Sequence, residues 1–374
     1  MSVAFVRTAP EADLAPPTIS RGVVGWVREN LFSSWASAAT TLLLLALGAW
    51  LLPPLVAWAT VNAVWSAPDG ALCRSHQDGA CWAFIAQKWE YLRYASYPEG
   101  AHWRVDVTEF VGLALIVWLL WPRAPRKGLG SALFFLAFPI MAFVLLRGLP
   151  ILGLEAVETQ DWGGLLVSLL AALVGIVFSL PLGVLLALGR RSTMPAVKAA
   201  CITYIEAVRG VPFITVLYMA NNLLPLFVPD QWTPDRFLRP LVGTALFSAA
   251  YLAEEVRGGL QALPRGQYEA ATALDLRYWR MMGFVILPQA LTLTIPGIVN
   301  NFIGLFKDTT LVAIVGMVDF LGAMDNAFKD PNWSGPTILA TGYGFAGIFY
   351  YIVCAAMARY ARNMERRLAA GRTR

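Results

Sequence analysis

The stretch EAATALDLRYWRMMGFVILPQA, from Glu269 to Ala290, is a polar segment between two long apolar runs. Its first half is rich in alanine and leucine, which favour helix. It also carries Glu269, Asp275, Arg277 and Arg280. A structured polar segment between two membrane spans predicts a surface on the cytoplasmic side that docks another protein. The alternative is a short interfacial helix that only reverses the chain.

The composition around this stretch is that of a membrane protein. The chain has 374 residues, of which 57% are hydrophobic and 14% are charged, and its mean hydropathy is +0.58. Soluble proteins carry about 25% charged residues. The sequence therefore predicts an all-α fold, a polytopic transmembrane helical bundle. The net charge of +5 lies in short loops between apolar runs, so it predicts no nucleic-acid partner.

Apolar runs near the length of a membrane span, about 20 residues, predict about eight spans. They cover roughly residues 38–61, 107–121, 131–146, 165–188, 199–224, 241–263, 284–306 and 337–357. Placing both termini in the cytoplasm puts all five basic segments inside, as the positive-inside rule requires. Residues 1–37 are then a cytoplasmic tail without a cleavable signal, and the long polar loop 62–106 is extracytoplasmic.

The opening stretch resembles the Glu-Ala-Ala loop (EAA motif) of the membrane subunits of ABC importers, because Ile286-Leu287-Pro288 follows at the family's spacing. The loop would cover residues 264–288. Asp275 stands where the family has glycine, and we expect it to keep the turn and to cap a helix beginning at Leu276. In the family this loop enters a groove on a separate ATPase. The resemblance implies that five residues couple to that ATPase: Glu269, Ala270, Ala271, Asp275 and Pro288.

Residues 161–368 resemble the five-span core of polar amino-acid permeases. The matching motifs, in family order, include Ser179-Leu180-Pro181-Leu182-Gly183, Arg209-Gly210-Val211-Pro212, Tyr251 to Glu254 and Lys307-Asp308-Thr309. Residues 38–160 would form an N-terminal extension of three spans, which resembles the longer permeases of general L-amino-acid ABC transporters. The resemblance implies the permease subunit of an ATP-driven amino-acid importer. The alternative is a secondary amino-acid transporter driven by an ion gradient, which has no need of the docking loop.

The resemblance also implies partners and a location. The partners are an ATP-binding subunit, a second permease that is identical or homologous, a periplasmic amino-acid-binding protein and the lipid of a bacterial cytoplasmic (inner) membrane. ATP and Mg would be bound by the partner ATPase, because the sequence has no Gly-Lys dipeptide and hence no Walker A loop. We therefore expect a non-catalytic subunit without a cofactor of its own.

Ionisable residues inside apolar runs are costly unless they pair or line a wet cavity. Glu206 with Arg209, and Glu254 with Arg257, are three residues apart and share a helix face, which predicts internal pairs. Asp308 is predicted to cap a half-helix that begins at Thr309.

A substrate path is predicted from the same set of residues. Glu254 would accept the ammonium of an amino acid, while Lys307 or the amide end of the half-helix at Thr309 would face its carboxylate. The competing interpretation is that Glu254 only neutralises Arg257.

The extracytoplasmic loop contains Cys73 and Cys81, eight residues apart. An oxidising compartment favours a disulfide between them, and two free thiols are the alternative. His76 and His102 lie in the same loop, but the spacing of these four residues fits no usual zinc site, so no metal is predicted.

Overall fold

The structure is a computed structural model that describes residues 22–372, and within this range the backbone forms helices and no β-sheet. The predicted all-α fold is therefore confirmed. The chain divides into two units, residues 1–64 with 76–80 and residues 65–75 with 81–374.

The described part of the first unit contains helices α1 (Gly22–Leu31) and α2 (Trp35–Val56), and α2 continues into a π-helical turn, Ala57–Val61. Ser34 caps α2, because its side chain accepts a hydrogen bond from the Ser37 amide at 3.1 Å. The Thr41 hydroxyl donates to the Leu31 carbonyl at 2.8 Å and so ties the two helices together. The helix and its π turn coincide with the first predicted span.

The second unit holds the remaining helices. They are α3 (Ala71–Ser75), α4 (Trp82–Tyr94), α5 (His102–Leu120), α6 (Lys127–Ala132), α7 (Phe138–Arg147), α8 (Leu165–Arg190), α9 (Pro195–Arg209), α10 (Phe213–Tyr218), α11 (Leu224–Phe227), α12 (Leu238–Ala262), α13 (Arg265–Ala273), α14 (Tyr278–Met281), α15 (Leu287–Asp308), α16 (Phe320–Ala327) and α17 (Pro336–Arg372). Single π turns join α6 to α7, α10 to α11 and α14 to α15.

Within the described residues, five helical segments are long and apolar enough to cross a membrane, or six if one bent pair counts as a span. The five are Trp35–Val61, Lys127–Arg147, Leu165–Arg190, Tyr278–Val315 and Pro336–Arg367. The other two predicted spans correspond to α5 and α12, which carry more charge. The count of eight spans stays a prediction.

The predicted fifth span, 199–224, is wrong as a single straight helix. The axes of Pro195–Arg209 and Phe213–Phe227 meet at 108°. The bend falls at Gly210 and Pro212, because Pro212 has no N–H for the helix ladder and disfavours helical backbone in the residue before it.

The predicted polar loop 62–106 contains α3, α4 and the start of α5. Some of its aromatic residues are buried: Phe84 is fully buried, stacks against Phe328 with ring centroids 5.8 Å apart, and contacts Trp333 in a tilted arrangement at 5.9 Å. Cys73 and Cys81 are buried and joined by a disulfide. A segment that sequence alone marks as a loop is thus a packed helical layer.

The centre of the second unit is formed by α8, α12 and α15, which pack against one another. Small residues allow the close approach. A Cβ at Gly183 would lie 2.8 Å from the Cβ of Leu252, so glycine lets α8 and α12 touch. This contact fixes the orientation of α12, on which most residues of the candidate site lie.

Asp319 begins α16 as a buried helix cap. Its carboxylate accepts hydrogen bonds from the amides of Leu321 and Gly322, at 3.2 and 2.9 Å. Burial raises the pKa of this carboxyl to about 6. The charged form of Asp319 is therefore disfavoured although its oxygens are hydrogen bonded.

Candidate functional site

The connection between α12 and α15 consists of α13 and α14 with a tight turn between them. Asp275 occupies this turn with φ of +52°, in the left-handed region that favours glycine. The turn expected at Asp275 is therefore present. Its expected capping role is wrong, because α14 begins only at Tyr278 and Arg277 holds the cap position.

The outward surface of this connection, here called the coupling loop (residues 264–288), carries both charge and apolar area. Glu269 and Ala270 are exposed, but Ala271 is only 2% exposed, so one of the two predicted alanines faces inward. Leu274 and Trp279 are 74% and 69% exposed. An exposed acidic residue beside two large exposed apolar side chains is typical of a surface that another protein covers.

A residue at the end of α8 holds the coupling loop to the helices beneath it. The Arg191 guanidinium donates to the Tyr268 hydroxyl at 3.1 Å and lies over its ring, 5.6 Å from the centroid. Both side chains also donate to the Leu260 carbonyl of α12, Arg191 at 3.3 Å and Tyr268 at 3.1 Å. The loop, α8 and α12 are therefore joined at one point.

An ion network lies just beyond this point. Glu254 accepts from Arg190 at 2.9 Å and from Arg257 at 2.7 Å, and Arg209 lies 3.8 Å away. Glu206 pairs with Arg190 at 2.8 Å. The prediction of a Glu254–Arg257 pair agrees with this geometry. The prediction of a Glu206–Arg209 pair is wrong, because the Glu206 carboxylate forms its ion pair with Arg190 of α8 instead.

A polar cavity of about 440 Å³ lies between α12 and α15. Its lining residues are Phe247, Ser248, Tyr251, Glu255, Gly297, Asn300, Asn301, Gly304, Leu305 and Asp308. The cavity wall holds two carboxyl groups, two carboxamides and two hydroxyls, and no lysine or arginine. It therefore offers strong acceptors for a cation together with neutral donors.

The Glu255 carboxylate lies directly against the backbone of Gly297 on α15. A Cβ at Gly297 would collide with the Glu255 carboxyl oxygens, so glycine leaves room for the carboxylate in the position that it takes here. Within the described residues, Glu255 makes no ion pair. Its neighbour Glu254, about 100° around the helix, faces the arginines instead.

Two further predictions about this region need correction. The chain does not break before Thr309: α15 runs through Asp308 into a 3-10 turn, Asp308 makes no side-chain cap, and the Thr309 amide bonds to the Leu305 carbonyl. No half-helix amide end therefore faces a substrate. Lys307 is exposed and Thr309 is buried, and neither lines the cavity, whereas Asp308 does.

Sequence reasoning missed Glu255, Tyr251, Asn300 and Asn301. A signal was present: Ser248, Tyr251 and Glu255 are spaced three and four residues apart, which places them on one helix face. The same spacing occurs on α15, where one helix face holds Asn300, Gly304 and Asp308. Two polar stripes on apolar helices joined by one loop predict a shared cavity.

Within residues 22–372 no group of three or more His, Cys, Asp or Glu side chains is arranged to hold a metal ion. The side chains that line the cavity offer hydrogen bonds and carboxylate charge. The cavity is suited to binding a small polar molecule.

Comparison with known proteins finds a matching family and two relatives that are similar over nearly the whole chain. Residues 179–369 match the model of the family described as "Binding-protein-dependent transport system inner membrane component". The chain is 46% identical to the inner membrane amino-acid ABC transporter permease protein YhdY of Escherichia coli (strain K12), with 95% of each chain covered. It is 39% identical to the glutamate/glutamine/aspartate/asparagine transport system permease protein BztC of Rhodobacter capsulatus, over 97% of this chain and 98% of that one.

Among solved structures, an amino acid ABC transporter crystallised with histidines is 27% identical. The match covers 55% of this chain and 92% of that one, with a TM-score of 0.47.

Proposed function

This chain belongs to the family of binding-protein-dependent transport system inner membrane components, and we propose that it forms the route by which amino acids cross the membrane in an ATP-driven importer. It is a permease subunit of an ABC transporter, and both relatives that match nearly its whole length are named as permease proteins, one of them of an amino-acid ABC transporter. The alternative, a secondary transporter driven by an ion gradient, is not favoured by that relationship.

One observation carries the proposed mechanism. The coupling loop is the covalent connection between α12 and α15, and these two helices line the polar cavity. A partner that pulls on the loop therefore moves both cavity walls directly. An ATPase seated there would open and close the cavity as it binds and hydrolyses ATP.

The cavity's chemistry fits an amino acid. Glu255 and Asp308 supply acceptors for an α-ammonium group, while the Asn300 and Asn301 carboxamides and the Tyr251 hydroxyl supply donors for an α-carboxylate. With two carboxyl groups and no cation in the wall, the cavity favours substrates with neutral or basic side chains over acidic ones.

The proposed partners follow from the same arrangement. The ATPase would cover Glu269, Ala270, Leu274 and Trp279 and would itself bind ATP and Mg, which leaves this subunit without hydrolytic chemistry. A second permease would complete the path and a periplasmic binding protein would deliver the substrate. Both termini would be cytoplasmic, on the side of the coupling loop.

The ion network takes a different role from the cavity. Glu254 is surrounded by three arginines and is not among the cavity residues, so we assign it to holding α8, α9 and α12 together. Tyr251 lies between the two sites, since its ring lines the cavity and contacts Arg209 at 5.5 Å.

The test is amino-acid uptake by the complete transporter reconstituted in vesicles. Glu255→Gln keeps the shape of the side chain and removes its charge, so we expect uptake to fall at least about tenfold, the effect of roughly 1.4 kcal/mol, with assembly and basal ATPase activity retained. Glu365→Gln, the same change at an exposed position on α17, is the control. Wild-type uptake in Glu255→Gln would remove the cavity from the proposed path.

A further inference from the structure

A second cavity, larger and almost wholly apolar, lies on another side of the second unit. It is a groove of about 500 Å³ between α7 on one side and α8 with the start of α12 on the other. Phe138, Phe143, Leu173, Val177, Phe178 and Leu241 are among the side chains that line it. It shares no residue with the polar cavity between α12 and α15.

Polar groups occur only at one end of this groove, where α7 ends and α8 begins. Arg147, Thr159 and Asp235 line that end. Arg147 donates to the Val157 carbonyl at 2.9 Å and lies 3.3 Å from Glu158, and the Thr159 hydroxyl donates to the Asp235 carboxylate at 2.9 Å. The rim therefore holds a guanidinium that is paired with Glu158 and a carboxylate that is bound to the Thr159 hydroxyl.

Trp162 forms part of the wall next to this rim. The residue is 7% exposed, and its indole Nε1 is buried without a hydrogen-bond partner among the described residues. A buried donor without an acceptor is unusual in native structures and calls for an explanation. This N–H is a donor without an acceptor in the wall of the same groove that Arg147 lines.

The depth of the groove matches one leaflet of a bilayer. Its wall on α8 runs from Leu170 to Phe178, which is eight residues and therefore about 12 Å along the helix axis. Half of the hydrocarbon core of a bilayer is about 15 Å. An apolar chain that enters beside the charged rim would thus stay within the groove through most of one leaflet.

We propose that this groove binds one phospholipid with an ethanolamine headgroup, inserted between the N-terminal extension and the permease core. The acyl chains contact the apolar wall, the phosphate lies against Arg147 and the indole of Trp162, and the ammonium faces Asp235. A zwitterionic headgroup matches a rim that carries both charges, whereas a headgroup with only negative charge would be repelled by Asp235 and Glu158.

Native mass spectrometry tests this proposal on the full-length chain, delipidated in mild detergent and titrated with phosphatidylethanolamine or phosphatidylglycerol of the same acyl chains. We expect one phosphatidylethanolamine per chain, retained at least about tenfold better than phosphatidylglycerol. Val174→Phe fills the groove and should abolish retention. Leu185→Phe adds similar bulk to an exposed position of the same helix and should leave retention unchanged.

A separate variant tests which lipid headgroup the rim prefers. Asp235→Asn should remove the preference between the two lipids while leaving acyl-chain binding intact. Helix content and monodispersity are compared for all variants, so that a misfolded protein is recognised; should Val174→Phe misfold, Val177→Phe replaces it.

Several results would overturn the proposal. They are equal retention of the two lipids by the wild type, retention that survives the groove-filling change, and, when the assembled transporter is measured in the same way, loss of the second permease by Val174→Phe in place of lipid loss. The last result would assign the groove to a protein partner. None of these results bears on amino-acid uptake through the polar cavity.

Discussion

Arg191, the residue directly after α8, contacts Tyr268 of the coupling loop, with a hydrogen bond of 3.1 Å from guanidinium to hydroxyl and the cation above the ring. Both groups converge on the Leu260 carbonyl of α12. A force applied to the coupling loop therefore reaches α8 as well as the two helices that the loop joins covalently.

Breaking this contact should uncouple ATP hydrolysis from transport. We expect Arg191→Met, which keeps the aliphatic part of the side chain and loses both hydrogen bonds, to weaken the loop's anchorage by about 1 kcal/mol per bond. Uptake per ATP hydrolysed should fall, with the ATPase still bound. Lys198→Met, on the nearby start of α9, serves as a control for loss of a cation. An unchanged ratio of uptake to hydrolysis in Arg191→Met would show that the contact transmits nothing.

The docking surface itself is tested at Glu269. Glu269→Lys reverses the charge of an exposed side chain, so membrane insertion and helix content should be unaffected. We expect the ATPase to dissociate during purification and uptake to be lost. Leu274→Ala and Trp279→Ala should weaken association further, since both lose apolar area that the partner would cover. Normal co-purification and import by Glu269→Lys would show that this residue takes no part in docking.

Glu254 should behave as a structural residue, unlike its neighbour Glu255. Glu254→Gln leaves Arg190, Arg209 and Arg257 around a neutral group, and removal of one partner from a largely buried ion pair costs up to about 3 kcal/mol. We expect poor assembly, measured by the yield of monodisperse complex, and partial recovery in the Glu254→Gln, Arg257→Gln double variant. If the single variant assembled fully but lost uptake, Glu254 would instead be a residue of the substrate path.

Asp319 predicts a dependence of stability on pH. Its folded-state pKa of about 6 exceeds the ordinary value of 3.8, so the folded protein holds the proton more tightly than the unfolded chain. This contribution favours the folded state below pH 4 and is lost as the pH rises to 6, by roughly 3 kcal/mol in all.

Asp319→Asn keeps an oxygen for the cap and removes the titration. We therefore expect the melting temperature of the wild type, relative to Asp319→Asn, to fall between pH 4 and pH 6. Parallel melting curves for the two proteins over this interval would contradict the assignment.

The Cys73–Cys81 disulfide is tested by alkylation in a background that lacks Cys201 and Cys354. We expect no mass shift without reductant and a shift of two alkyl groups with it. Replacing both cysteines by serine should lower stability by on the order of 2 kcal/mol, because the bond closes a short loop in the unfolded chain. Labelling of both thiols without reductant would show that the bond is absent in the native protein.

Sequence alone located the helices well and assigned the charged residues less well. Hydrophobic runs predicted the positions of α8, α15 and α17, since burial in lipid dominates their composition. The turn at Asp275 was also predictable, because aspartate tolerates left-handed backbone.

The choice between Glu254 and Glu255 was not predictable in the same way. Adjacent helical residues point about 100° apart, and only the packing of α12 against α8 and α15 decides which of them faces the arginines and which faces the cavity. The expected break before Thr309 failed for a related reason. Nothing in Lys307-Asp308-Thr309 interrupts a helix, and the chain simply tightens into a 3-10 turn there.

The contact between the Glu255 carboxylate and Gly297 has a consequence for substitutions of this glycine. Gly297→Ala would add only a methyl group and no charge, yet that methyl would stand where the carboxylate lies. The carboxylate, at the end of a flexible side chain, would have to shift, and one of the two anions of the cavity would change its position without any acidic residue having been replaced. A methyl group at this position would thus change the electric field in the cavity by moving a charged group. Substitution of this glycine would therefore change which substrates the cavity accepts.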